Sequence, residues 1–161
     1  MTFERSTDYG LLNSLLRNPK LYPFLGDDFA PALDDLEATE HPDLWYILGR
    51  DEAGILGFWV FAPQSLICWE LHTVMPLNGR ALAAMRELLG PGGWLWANTR
   101  CLRAVTNVPA CNRIADRFGR RAGLIPYGRN PKSYLKNGLL DDQILMGVSK
   151  PKGSVLCQSS V

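Results

Sequence analysis

The period of the hydrophobic positions changes several times along this chain, and each change marks an element. From Thr7 to Arg17, apolar residues recur at Tyr9, Leu11, Leu12, Leu15 and Leu16, the spacing of a helix with one buried face. Ser6 and Thr7 precede it as candidate caps. Pro19, Pro23, Gly26 and Pro31 interrupt the chain next, and Ala32 to Thr39 predicts a second, short helix. Three runs rich in β-formers follow: Leu44 to Gly49, Ile55 to Ala62 and Leu66 to Met75. The turn Arg50 to Gly54 joins the first pair and Pro63 to Ser65 the second, which predicts an antiparallel meander.

The period then returns to that of a helix. Over Gly79 to Leu89, Leu82, Met85, Leu88 and Leu89 share one face; Gly90 to Gly93 interrupts, and Trp94 to Thr99 predicts a further helical turn. Leu102 to Val108 reads as a strand. Pro109 opens a helix to Ala122 that Gly123 ends in the C-cap position. Leu124 to Tyr127 and Gln143 to Ser149 predict two closing strands around a polar loop. The order is α–α–β–β–β–α–β–α–β–β, an α+β fold with a mixed, mostly antiparallel central sheet flanked by helices. Residues 1–150 are expected to form one domain, and residues 151–161 a flexible tail.

Composition narrows the class. The 161 residues are 47% hydrophobic and 20% charged, as in a globular protein with a real core. No apolar stretch approaches the ~18 residues of a membrane span. Met1 to Tyr9 lacks an apolar run, so no secretory leader is expected. The four cysteines, Cys68, Cys101, Cys111 and Cys157, form no CxxC pair and no ligand spacing with the two histidines. They read as reduced thiols of a cytoplasmic protein, with no metal site. The five tryptophans, Trp45, Trp59, Trp69, Trp94 and Trp96, read as core. Net charge is only +1, yet residues 1–56 hold eleven Asp/Glu against four Lys/Arg, and residues 57–161 hold thirteen Lys/Arg against five Asp/Glu. The basic second half implies a polyanionic partner, or else a solvated surface.

Three segments carry candidate chemistry. Along Leu66 to Met75, alternation puts Ile67, Trp69, Leu71 and Thr73 on one face and Cys68, Glu70, His72 and Val74 on the other. Glu70 and His72 are then ~6.6 Å apart along the strand, able to border one cleft. A carboxylate beside an imidazole suits general-base chemistry near neutral pH, and would serve equally as a structural hydrogen bond. The loop from Met75 through Leu77, Asn78, Gly79, Arg80, Ala81 and Leu82 to Ala83 has small residues at a helix start, where backbone N–H groups and the helix dipole can cradle a phosphate. Finally, Arg113, Arg117, Arg120 and Arg121 form a basic face opposite Ile114, Ala115, Phe118 and Ala122. No GxGxxG or Walker pattern is present.

Together these segments, over roughly residues 43–149, resemble the core of the GNAT superfamily of N-acyltransferases. In that family a strand ending Val-x-Pro leads into an Arg-Gly-x-Gly-x-Gly loop that holds the coenzyme A pyrophosphate. Here Val74-Met75-Pro76 precedes Asn78-Gly79-Arg80-Ala81-Leu82-Ala83, with Asn for the leading Arg and alanines for two glycines. The family's Asn-x-x-Ala-x-x-Leu-Tyr-x-x-x-Gly-Phe phrase is similar to Asn112, Ala115, Phe118, Gly119, Gly123 and Leu124. The family's general-acid Tyr falls on Gly119. The phrase Glu70 to Thr73, with Val108 to Asn112, resembles small acetyltransferase-like proteins of bacteriophages, which would place the chain in the cytoplasm of an infected cell.

The resemblance implies direct transfer of an acetyl group from acetyl-CoA to an amine, a small molecule or a protein. Glu70 would be the general base with His72 as partner, and a backbone N–H near Thr73 or Val74 would meet the oxyanion. Amides from Gly79 to Ala83 would hold the pyrophosphate, Asn112 would contact the pantetheine arm, and Phe118 would pack beside it. Tyr127, Ser133 and Tyr134 are the candidates for a displaced acid. The resemblance also implies dimerisation through the C-terminal strands. Two alternatives belong to other classes: a GNAT-like protein without catalysis, acting through CoA binding or protein contact, and a nucleic-acid binder using Arg113, Arg117, Arg120, Arg121, Arg129, Lys132 and Lys136. The latter ranks last, because no base-stacking aromatics are interleaved with those charges.

Overall fold

The computed structural model describes residues 1–76 and 78–152. Leu77, Cys157 and most of the expected tail lie outside them. The elements run β1 (Thr2–Ser6), α1 (Tyr9–Leu16), β2 (Trp45–Asp51), β3 (Gly54–Pro63), β4 (Cys68–Val74), α2 (Gly79–Leu89), α3 (Trp94–Asn98), β5 (Arg103–Pro109), α4 (Arg113–Arg121), β6 (Ile125–Lys136) and β7 (Leu139–Ser149). They build one seven-stranded sheet in the order β1-β2-β3-β4-β5-β7-β6. Every pairing is antiparallel except β4 with β5. The mixed, mostly antiparallel sheet expected from the sequence is what forms.

Alternation along the strands divides the core into two layers. On one face Trp59, Phe61, Trp69 and Leu71 pack with Leu82, Met85, Leu88, Leu95 and Trp96 of α2 and α3, and Ala115 and Phe118 of α4 close against them. On the other, Tyr46, Leu48, Phe58 and Val74 pack beneath Leu12 of α1, with Leu21 and Leu25 beyond it. The tryptophans are core, as their composition implied: Trp59 and Trp96 are fully buried, and Trp45 and Trp94 pack against the larger layer. Burial also pushes the Cys101 thiol up to about 12, which keeps it protonated.

Several local expectations are corrected. Thr2–Ser6 pairs with β2, so Ser6 ends a strand, and Asp8 caps α1 by accepting the Leu11 N–H at 2.9 Å. Ala32 to Thr39 holds only a single 3-10 turn, Leu33–Asp35; Asp34, Asp35 and Glu37 interrupt its apolar positions, and Leu33, Leu36 and Ala38 are only partly buried. The fourth helix begins at Arg113 with Asn112 as its cap, because Pro109 is still in register with Gln143 of β7. The polar loop expected after Tyr127 is instead two long strands joined by Asn137-Gly138, both with positive φ (53° and 72°), the conformation a two-residue hairpin turn requires.

The chain between α1 and β2 crosses the sheet and is fastened at the far edge. The Gly26 carbonyl accepts the Tyr134 hydroxyl and the Lys136 ammonium, each at 2.6 Å. Asp28 accepts the amides of Gly138 and Asn137 at 2.7 and 2.8 Å, and these two bonds hold its carboxyl below the usual range. A carboxyl depressed in the folded state contributes at full strength above the ordinary carboxylate pKa, and the contribution is lost as pH falls below it. Exchange of the Asn137 and Gly138 amides, corrected for intrinsic rates, is therefore expected to be slow at neutral pH and to accelerate below about pH 4. Asp28→Ala should show the fast rate at neutral pH; unchanged exchange would mean the fastening is held without the carboxylate, by the Gly26 carbonyl and by the backbone N–H of residue 28 donating to Leu135 O.

Candidate active site

The site grows from an interruption in the sheet. β4 and β5 run parallel and pair only over Cys68–Glu70 with Arg103–Val105. Beyond that, β4 continues to Val74 with β3, and β5 continues to Pro109 with β7, so the two strands diverge into an opening with Glu70 and Val105 at its vertex. Arg103 N–H donates to Ile67 O at 2.9 Å, whereas Cys68 O turns the other way to accept Gln64 N–H. Because backbone groups alternate along a strand, Leu71 and Thr73 present N–H and C=O to the opening, and Val74 directs its own to β3. Of the two amides that the resemblance offered for an oxyanion, only the Thr73 N–H borders the opening. The Val74 side chain is buried in the smaller core.

Glu70 and His72 meet as their spacing predicted, with His72 Nε2 3.5 Å from Glu70 Oε1. The carboxylate is 23% exposed and the imidazole 52%, so the imidazole is the member facing outward. Two partners not read from the sequence orient Glu70: Gln64 Nε2 donates to Oε2 at 3.0 Å, and Asn107 Nδ2 approaches Oε1 at 3.4 Å. Asn107 was visible as one of the polar residues of its strand, with Arg103 and Thr106. Its meeting with Glu70 follows from the parallel register of β4 and β5, which spacing within either strand does not reveal.

Helices α2 and α4 start beyond the ends of β4 and β5, with their N-termini at the same end of the sheet. They are tied by Arg86 Nε donating to the Arg121 carbonyl at 2.9 Å. Asn78, where the family has Arg, caps α2 by accepting the Ala81 N–H at 3.1 Å, and Leu82 N–H donates to Asn78 O. Leu82 is buried in the core, while Ala83 is exposed. Among the described residues, the Gly79 and Arg80 amides have no protein partner. A Cβ on Gly79 would meet nothing within 4 Å, so there is room for a bulky anion at this N-terminus. The Arg80 guanidinium grips Asp51 through both carboxylate oxygens; this bond holds the Asp51 carboxyl below its usual range and raises Arg80 above its own.

On α4, Asn112 Oδ1 accepts the Ala115 N–H at 3.1 Å, which leaves its amide nitrogen free for other contacts. Phe118 lies half-buried against the larger core. Gly119 is buried, and a side chain there would begin 3.4 Å from Leu124 and Met146. Of the alternative acids, Ser133 donates to Asn130 O, and Tyr127 lies under the Arg103 guanidinium near the start of β5. Tyr134 stands at the other end of that strand, in a cavity of about 330 Å³ lined also by Pro109, Cys111 and Asn112. Burial first, then Cys111, Asp27 and Asp28 nearby, pushes its phenol up. Among the described residues no group of three potential metal ligands occurs, and no helix is long and apolar enough to cross a membrane.

A sheet opened between parallel β4 and β5, with helices starting beyond both strands, is the fold of the GNAT acyl-CoA N-acyltransferases. The spermidine N-acetyltransferase of Vibrio cholerae, solved with CoA and spermine, superposes with a TM-score of 0.73 over 92% of this chain and 95% of its own, at 14% identity. A ribosomal-protein alanine acetyltransferase of Vibrio fischeri superposes with a TM-score of 0.66 over 94% and 95%, at 13% identity. At these identities the likeness establishes the fold. No protein-family model matches the sequence, and no curated protein matches it.

Proposed function

We propose that the chain is an N-acetyltransferase that moves an acetyl group from acetyl-CoA to an amine by direct transfer. The observation that carries this reading is the Glu70–His72 pair at the vertex of an opening whose backbone edges have no strand partner. Those unpaired groups suit an extended arm containing amides, and the free start of α2 suits a pyrophosphate. Both requirements describe coenzyme A, and the Vibrio cholerae relative was solved with it. Its thioester supplies an acyl carbon open to attack and a thiolate able to leave.

An ammonium cannot attack, so the acceptor must first lose a proton. His72 faces outward to take it, and Glu70, fixed by Gln64 and Asn107, stabilises the imidazolium that forms. The Thr73 N–H is the donor for the charge that develops on the acyl oxygen. Tyr134, whose hydroxyl donates to the Gly26 carbonyl in the free protein, turns from that carbonyl to return a proton to the departing thiolate in place of the tyrosine that Gly119 lacks. Tyr134→Phe is expected to lower kcat by roughly 10²-fold with little change in the KM for acetyl-CoA, as measured by thiol release; an unchanged kcat would exclude it as the acid.

Asp51 holds the side chain of Arg80 and places a negative charge near the start of α2. Asp51→Asn is expected to tighten CoA binding by roughly two- to fivefold, and Arg80→Ala to weaken it, both read by calorimetry. Identical affinities across the series would detach Arg80 from the phosphate site.

Gly119 also supports a second reading, a GNAT-fold protein that binds CoA without turnover. Amine-dependent release of the CoA thiol across a broad amine panel separates the two: release supports the enzyme, and CoA binding without release supports the silent form.

A further inference from the structure

The cavity beside Tyr134 lies on the same face of the sheet as Glu70 and His72. Asn107, in contact with Glu70, and Pro109, in the cavity wall, are two residues apart on β5, so one wall of the cavity begins ~7 Å along β5 from the residue that touches Glu70. Its volume of about 330 Å³ is at the small end for ligand sites. Pro23, Phe24, Pro109 and Ile114 make the walls apolar. Phe24 and Ile114 are 55% and 57% exposed, two large apolar side chains left in water at one pocket.

Two cations line the same pocket with no close ion pair among the described residues, although the Lys136 charge, after the Gly138 and Asn137 amides, helps to hold the Asp28 carboxyl below its usual range. The Arg113 guanidinium has no hydrogen bond or ion pair among the described residues, and the Lys136 ammonium donates only to the Gly26 carbonyl. The neighbouring carboxylates are turned elsewhere. Asp28 accepts the Asn137 and Gly138 amides, Asp141 accepts those of Cys111 and Asp142, and Asp27 accepts that of Phe29. None of the three lines the cavity.

We propose that this cavity is the acceptor subsite and that the acceptor is a free α-amino acid with a large apolar side chain. The inference rests on the N-acetyltransferase reading above. The side chain packs against Phe24, Pro109 and Ile114, the carboxylate meets Arg113 and Lys136, and the α-amine reaches back to His72. The nitrogen forms a bond to the acyl carbon as the carbon–sulfur bond breaks; the amine proton goes to the Glu70–His72 pair, and the thiolate is protonated from Tyr134. A polyamine offers no carboxylate to these two cations, and it is the competing acceptor that Asp27 and Asp28, near the Tyr134 phenol, would favour.

The test compares L-phenylalanine, L-phenylalaninamide and spermidine, both as acceptors with acetyl-CoA and as ligands in calorimetry. L-Phenylalanine is expected to be preferred, with the amide at least about tenfold poorer because a charge-assisted contact is lost. Arg113→Gln, on an exposed first turn, should raise the KM for L-phenylalanine about tenfold, leave that for the amide unchanged, and spare the melting temperature. A preference for spermidine, or equal use of acid and amide, would overturn the proposal. Binding separates it from the parent reading: carboxylate-dependent binding without transfer would keep the subsite and remove the catalysis, whereas transfer to other amines without binding of L-phenylalanine would do the reverse.

Discussion

Glu70→Gln is expected to lower kcat for acetyl transfer by about 10²–10⁴-fold and leave CoA affinity unchanged. Glutamine keeps the shape of the side chain and can still accept from Gln64, so the vertex of the opening should hold its geometry. What it removes is the negative charge 3.5 Å from His72 Nε2, and with it the stabilisation of an imidazolium formed when the amine gives up its proton. The phosphate end of the site, at Gly79 and Arg80, makes no contact with Glu70, which is why binding and turnover should separate. His72→Gln should reproduce the loss if the pair acts as a unit, since residues that act together are not additive. Wild-type turnover in Glu70→Gln would remove the carboxylate from the mechanism.

The largest stability effect is expected at Trp59. Its side chain is fully buried, its ring centroid lies 5.8 Å from that of Phe3 on β1, and its Nε1–H points at Met85 Sδ on α2, 3.1 Å away. One residue of β3 therefore joins the sheet edge to the helix whose start is the proposed phosphate site. Trp59→Ala should cost about 3–5 kcal/mol, a large part of the 5–15 kcal/mol that typically holds a domain together. The melting temperature should fall by roughly 10 °C or more, and CoA affinity should fall with it as α2 loses its seat. A drop below about 1 kcal/mol in denaturant melts would show that the layer closes over the cavity.

Much of this arrangement was legible in the residues. The alternation that placed Glu70 and His72 together is a property of one strand, and it survives folding because Trp69 and Leu71 must enter the core on the other face. Gly79–Leu89 was bounded correctly because its apolar period and the Gly90-Pro91 break agree. What could not be read depends on partners distant in sequence. β1 contains Thr2, Glu4, Arg5 and Ser6 and little apolar signal; it is a strand because β2 offers it an edge. The closing strands Leu124 to Tyr127 and Gln143 to Ser149 were legible, but the outer half of the β6–β7 hairpin reads as a loop despite its Asn137-Gly138 turn, since Arg129, Lys132, Asp141 and Asp142 give that half the composition of one. Ion pairing of Arg129 with Asp142 across the two strands, at 3.0 Å, makes that polarity compatible with a ladder. Asn107 and the Tyr134 cavity belong to the same category: each exists only once β5 has found its neighbours.

Calorimetric titration with acetyl-CoA, repeated with dephospho-CoA, tests the central claim most directly. The opening between β4 and β5 and the free start of α2 predict saturable, micromolar binding of acetyl-CoA, weaker for the dephospho form if the arginines of α4 meet the 3′-phosphate. Absence of binding to either compound would contradict the assignment of this opening as an acyl-CoA site.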